Sequence, residues 1–250
     1  MIIKNKKELE ILREGGKRLA AVLSSVAHEA IPGVTTKFLD ELAEKLILES
    51  GGKPSFKNYA NPMGKKDYPA TLCVSVNDEI VHGIPDERTL KTGDVVGLDI
   101  GMWYEGFCTD TALTVLVGGG TNKLIDSTKK SLEIGISKVK AGVRIGDIGF
   151  AIQNFLEKEG FGVVRELVGH GVGNAVHEDP EIPNWGKPGT GMELLENMVI
   201  AIEPMATEGS PKIKLLSDTW TWSTKDGSRS AHFEHTLVVT KNGSEIFTKI

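Results

Sequence analysis

At 250 residues, with 40% apolar and 25% charged side chains, the chain has the composition of an ordinary globular protein and enough length to bury a sizeable core. A net charge of −5 argues against a broad nucleic-acid-binding face and leaves Lys4, Lys6 and Lys7 as a small solvated cluster. No apolar run is long enough to span a bilayer, and MIIKNKKELE lacks the apolar core of a signal peptide, so a cytoplasmic location without membrane contact is expected.

Between Lys6 and Ala30, the residues Leu12, Leu19, Val22, Leu23 and Val26 recur at helical spacing and predict a core-facing helix. Pro32-Gly33 breaks it. Thr35 or Thr36 then caps a second helix that runs to Ser50 and stops at Gly51-Gly52. Residues 55–67, with Asn58, Asn61, Pro62 and Gly64, read as a loop. Strands are expected at 70–76, 95–102, 107–117, 163–168, 197–203, 231–240 and 244–249, and further helices at 121–139 and 146–159. Cys73 and Cys108 fall inside strand-like segments and read as free thiols.

A weak repeat appears at an offset of 109, where Gly33-Val34 aligns with Gly142-Val143, Leu39 with Ile148, Ile47 with Leu156 and Gly51 with Gly160. Any two amphipathic helices align at some offset. The other reading is two fused α/β halves, about 5–118 and 119–250, that share a sheet and hold a site between them. With no Pro- or Ser-rich linker dividing them, residues 1–250 are expected to form a single domain.

Four acids occupy positions where a carboxylate is hard to keep: Asp99 in VVGLDIG, Asp110 in CTDTALTVLV, Glu203 in MVIAIEPM and Glu234 in AHFEHTLVV. An isolated buried carboxylate either takes up a proton or acquires a cation. Taken singly, each acid reads as a turn or strand-end residue; together they ask for metal. A hairpin turning in two residues, at Tyr104-Glu105 or Glu105-Gly106, brings Asp99 and Asp110 to one face, directly opposite or on a diagonal; a three-residue loop separates them. His170, flanked by Gly169 and Gly171 with room for a bulky ligand, adds an imidazole. His177 reads as a loop residue overlooking the site, and His82 stands at a strand end before a Gly-Ile-Pro turn. Four carboxylates balance two divalent cations, and an oxygen-rich set with one imidazole accepts manganese, iron(II), cobalt or zinc.

VHGIPD, LDIG followed by CTDTA, GHGVGNAVHEDP, AIEPM and FEHT, in this order and spacing from about residue 5 to the C-terminus, resemble type I methionine aminopeptidase. The resemblance implies the α/β pita-bread fold, with two pseudo-symmetric halves and a curved antiparallel sheet covered by helices. It also implies a dinuclear metallopeptidase that removes the initiator methionine from nascent chains with a small second residue. Carried over by position, Asp99 holds one metal, Asp110 and Glu234 bridge both, and His170 with Glu203 completes the second, Glu203 also relaying a proton. His82 and His177 stand near the scissile bond, while Tyr68, Cys73 and Trp220 line the methionine pocket. Pocket detail is where the match departs: NYANPMGKKD is longer than is common, and Val176 stands where a larger side chain is usual.

The same resemblance suggests a monomer and leaves a transient ribosome contact by the Lys-rich start open. A proline-directed peptidase of this fold is a rival, though such relatives usually carry a preceding domain and the first helix here starts within ten residues of Met1. A non-catalytic binding protein would not be expected to retain all five ligand positions. A mononuclear oxygenase would leave three of the acids unexplained.

Overall fold

The computed structural model describes residues 1–249. Helix α1 (Lys6–His28) starts at Asn5, whose side chain accepts the Glu8 amide, and buries the expected stripe of Leu12, Leu19, Val22, Leu23 and Val26. Thr35 is the residue that caps α2 (Thr36–Glu49), by accepting the Phe38 amide. Helices α3 (Lys123–Ile136) and α4 (Ile145–Lys158) form the second pair. Helices α2 and α4 are both 14 residues long, and the turn glycines Gly33 and Gly142 have φ of +94° and +86°. None of the described helices is long and apolar enough to cross a membrane.

The strands are β1 (Lys53–Pro54), β2 (Leu72–Val76), β3 (Glu79–Val81), β4 (Val95–Tyr104), β5 (Phe107–Leu116), β6 (Gly162–Val163), β7 (Gly169–Gly171) and β8 (Glu178–Ile182). They continue as β9 (Val199–Ile202), β10 (Met205–Thr207), β11 (Ile213–Leu215), β12 (Trp222–Thr224), β13 (Ser230–His232), β14 (Glu234–Val239) and β15 (Ser244–Ile246). The main antiparallel sheet runs β1-β4-β5-β14-β9-β7-β8, with β2 also on β4 and β15 also on β14. Two three-stranded sheets, β13-β10-β6 and β11-β12-β3, complete the fold.

Side-chain alternation divides the main sheet into two faces. Leu98 and Ile100 of β4 pack with Leu19 and Leu39 under α1 and α2, and Ile200, Ile202 and Leu237 pack with Leu132 and Ile148 under α3 and α4. Each of these fully buried aliphatic side chains stabilises the fold by roughly 1.5–3 kcal/mol. On the opposite face Cys73, Val199, Ala201 and Val238 pack with Tyr68 and Trp220.

Several strand expectations need correction. The continuous strand at 231–240 is two strands, because Phe233 lies opposite Pro204, which has no N–H to donate to the ladder. His235 pairs with Ile202 on one side of the break and His232 with Met205 on the other, in unchanged register. Of the strand at 163–168 only Gly162–Val163 pairs, since the chain turns away to expose Arg165 and Glu166. At 244–249 the ladder stops at Ile246. Strand β3 ends just before His82, as expected, whereas β7, β8, β10, β11 and β12 escape a period-two reading because most are only three residues long. Finally, the room beside His170 is filled by backbone: a Cβ would meet Ala201 O at 2.4 Å from Gly169 and Asp179 O at 2.2 Å from Gly171. Those glycines let β8 and β9 close on β7 and reserve no space for a ligand.

Candidate metal centre

Asp99 on β4, Asp110 on β5, Glu234 on β14, His170 on β7 and Glu203, one residue past β9, come from five adjacent strands and share a single face. Tyr104 pairs with Phe107, so the β4–β5 hairpin turns in two residues, Glu105 and Gly106, with φ of +45° and +90°. Asp99 is therefore opposite Ala112, and Asp110 lies on the diagonal. Glu234 also pairs with Ala112 from the other side, and His170 pairs with Ala201 on the same strand as Ile202. Glu203 and Glu234 face each other where the β9–β14 pairing lapses.

Ligand atoms of Asp110, His170 and Glu234 lie within 4.8 Å of one another. His170 Nε2 is 3.6 Å from Glu203 Oε1 and 4.0 Å from Glu234 Oε1. Its Nδ1 bonds the Gly171 carbonyl at 2.9 Å, which keeps the ring proton on Nδ1 and the Nε2 lone pair free for a cation. The backbone is tied just as closely. Thr236 Oγ1 accepts the Asp110 amide and donates to the Asp110 carbonyl, Thr111 donates to the Glu234 carbonyl, and Asn184 donates to the Glu203 carbonyl.

The electrostatics ask for positive charge. Burial pushes Asp99 up to about 7 and Glu203 up to about 8, and carries Asp110 and Glu234 well above the carboxylate range. The negative charge of Asp99 adds to burial in raising Asp110. Asp99 Oδ1, Asp110 Oδ1 and Glu234 Oε1 are buried without a hydrogen-bond partner. Among the described residues no lysine or arginine pairs with any of the four acids. Orphaned, proton-holding carboxylates beside a free imidazole nitrogen fit divalent cations.

All the expected site residues line one cavity of about 490 Å³. Tyr68 and Trp220 meet edge to face at 5.3 Å, and their polar tips are satisfied away from the cavity, at the Gly83 and Lys66 carbonyls. They therefore offer the cavity apolar walls, with the buried thiol of Cys73 between strands. Both cysteines are free, as expected. His82 has φ of +58°, unusual for a residue with a Cβ, and the next residue, Gly83, lies so close to β2 that a Cβ there would sit 2.3 Å from Val74 O. Burial lowers His82 to about 4 and His170 to about 3, and His177 is also lowered, so all three are neutral at pH 7. His177 stands at the mouth just before β8, its Nδ1 2.8 Å from the Tyr59 hydroxyl and its ring 4.5 Å from that of His170.

Three neighbours were not legible in the sequence. Tyr59 lies in the stretch read as loop, Asn184 is a fully buried amide holding the Glu203 backbone, and His232 places Nε2 3.3 Å from Glu203 Oε2. Only His232 carried a signal, since it shares strand parity with Glu234 two residues on.

A profile of metallopeptidase family M24 matches residues 10–241. Methionine aminopeptidase of Clostridium perfringens is 45% identical, with 100% of this chain and 99% of that protein covered. Methionine aminopeptidase 1 of Bacillus subtilis is also 45% identical, with 100% of both covered. Among solved structures, methionine aminopeptidase from Thermotoga maritima superposes with a TM-score of 0.94 at 43% identity over 100% of each chain. The prolidase of Pyrococcus horikoshii shares the fold, with a TM-score of 0.77 at 23% identity, over 99% of this chain and 63% of that one.

Proposed function

The chain belongs to metallopeptidase family M24 and has the pita-bread fold, and on that premise we propose that it is a metal-dependent methionine aminopeptidase. Its substrates are the N-termini of nascent polypeptides with a small second residue, and its place of action is the cytoplasm. We read residues 1–250 as one monomeric domain with similar halves at about 5–118 and 119–250. The carrying observation is the set of four lysine- and arginine-free carboxylates, with three orphaned oxygens, around His170 Nε2.

Asp99, Asp110, His170, Glu203 and Glu234 are the proposed ligands of two divalent cations, whose charge matches four carboxylates; cobalt, manganese, iron(II) and zinc all suit the donor set. When bound, the cations neutralise the acids and supply the Lewis acidity that activates a water toward the first peptide carbonyl. Glu203, with its two oxygens facing His170 and His232 and no lysine or arginine beside it, is the acid placed to accept and return a proton. The tautomer of His177 that accepts the Tyr59 hydroxyl at Nδ1 carries its proton on Nε2 and can donate it to the developing oxyanion. Neutral His82 offers a second hydrogen bond near the leaving amide without adding charge. Tyr68, Cys73 and Trp220 form the polarizable wall for the methionine thioether.

Release of methionine from Met-Ala-Ser, compared with Met-Lys-Ser and Ala-Pro-Ala on metal-depleted and metal-restored protein, tests the reading. Preference for Ala-Pro-Ala would indicate a proline-directed peptidase. No turnover with any metal would indicate a binding protein of this fold.

A further inference from the structure

His232 has no part in the ligand set, yet it is among the most confined polar side chains near the centre. It is 3% exposed, and its Nε2 is buried without a hydrogen-bond partner. The acid it faces is Glu203, whose Oε2 is 3.3 Å away, while the other oxygen, Oε1, lies on the His170 side at 3.6 Å from Nε2. The two oxygens of Glu203 are thus divided between two imidazoles on different strands.

The backbone of His232 is fixed with unusual economy. Thr114 Oγ1 accepts its amide at 2.9 Å and donates to its carbonyl at 2.7 Å, replacing ladder bonds where β13 leaves the main sheet. On its other side, pairing with Met205 holds the strand in register across the Pro204 break. Glu203 itself stands at that break, one residue beyond the end of β9, so its side chain lacks the restraint a continuous ladder would give. An otherwise unpaired imidazole nitrogen 3.3 Å from one carboxylate oxygen is placed to supply it.

We infer that His232 is a positioning residue for Glu203: Nε2–H holds Oε2 and leaves Oε1 to face the His170 side, where the cation is to be bound. The inference rests on the metal-dependent reading above. Supporting groups of this kind change metal affinity by about 10–100-fold when removed, without touching the ion.

The test is isothermal titration of the full-length, metal-depleted chain with Co2+, alongside kcat and KM for Met-Ala-Ser. His232→Leu removes the donor at similar volume, and His232→Asn draws a donor back out of reach of Glu203. His232→Gln keeps an N–H at comparable reach. Both donor-deficient variants are expected to bind Co2+ about 10–100-fold more weakly, and His232→Gln to return to within about threefold of the parent chain. In the same variants kcat falls more than KM. Should His232→Leu fail to fold, His232→Asn against His232→Gln carries the comparison. Equal Co2+ affinity in all variants, or an equal loss in Gln and Asn variants, overturns the positioning role while leaving the metal reading intact. A parent chain that takes up no Co2+ overturns the metal reading, and this inference with it.

Discussion

Stripping the cations from this centre should make the fold progressively less stable as pH rises above 6.5. A carboxyl whose folded pKa is raised keeps a proton that the unfolded chain has already lost, so stability is full below the unfolded pKa and is lost as pH climbs toward the folded one. Buried neutral histidines act in the opposite sense. His82 at about 4 and His170 at about 3 gain protons on unfolding only below their ordinary 6.5, so they offset the acids at lower pH and fall silent above it. Between 6.5 and 8 the acids act alone. Glu203, with its folded value at about 8, loses about 2 kcal/mol over that interval at roughly 1.4 kcal/mol per pH unit. For a domain of this size, each kcal/mol moves the midpoint by about 2–4 °C, giving a fall of about 4–8 °C from Glu203 alone. Thermal unfolding of chelator-treated protein at pH 6.5, 7.25 and 8 reads this directly, with Mn2+-loaded protein and Glu203→Gln as comparisons. The loaded protein should hold a nearly constant midpoint, and Glu203→Gln should show a shallower fall when stripped. A metal-free midpoint that stays level or rises with pH refutes the reasoning, as does a Glu203→Gln slope equal to the parent's.

His177→Ala should lower kcat for Met-Ala-Ser by about 100-fold with little change in Co2+ affinity, because the ring lines the cavity and its proposed role is to donate a hydrogen bond to the oxyanion. A KM effect alone would assign it to binding. Gly171→Ala drives a Cβ to 2.2 Å from Asp179 O and must displace β7 or β8; soluble yield and Co2+ uptake should both drop, and full retention of uptake would contradict the packing described. Gly106→Val meets nothing within 4 Å but forces a β-branched residue to φ of +90°, so it should destabilise by about 1–3 kcal/mol in denaturant unfolding while leaving activity per folded molecule unchanged.

Much of the candidate site was legible before any coordinates. The four acids stood out because they interrupt runs of β-branched residues, where a carboxylate without a cation is unstable. The helices were legible because their apolar stripes repeat over three or more turns, and α1 and α2 match expectation to within a residue or two at each end. Short strands were not legible: three residues cannot display a period, and Gly169-His170-Gly171 is a strand only because β8 and β9 press on it from either side. The split at Phe233 was hidden for a related reason, since it is imposed by a proline 29 residues earlier in the chain.

By itself, then, the amino-acid sequence determined which residues could bear the chemistry, because charge, side-chain type and local periodicity are properties of neighbours along the chain. Only the tertiary structure decided that β4, β5, β14, β9 and β7 lie side by side in that order, and so that acids 135 positions apart share one cavity. It alone set His232 against Glu203 and Tyr59 against His177. Such pairings depend on which strands meet, and that is settled by burial of both sheet faces across the whole chain rather than by any local pattern.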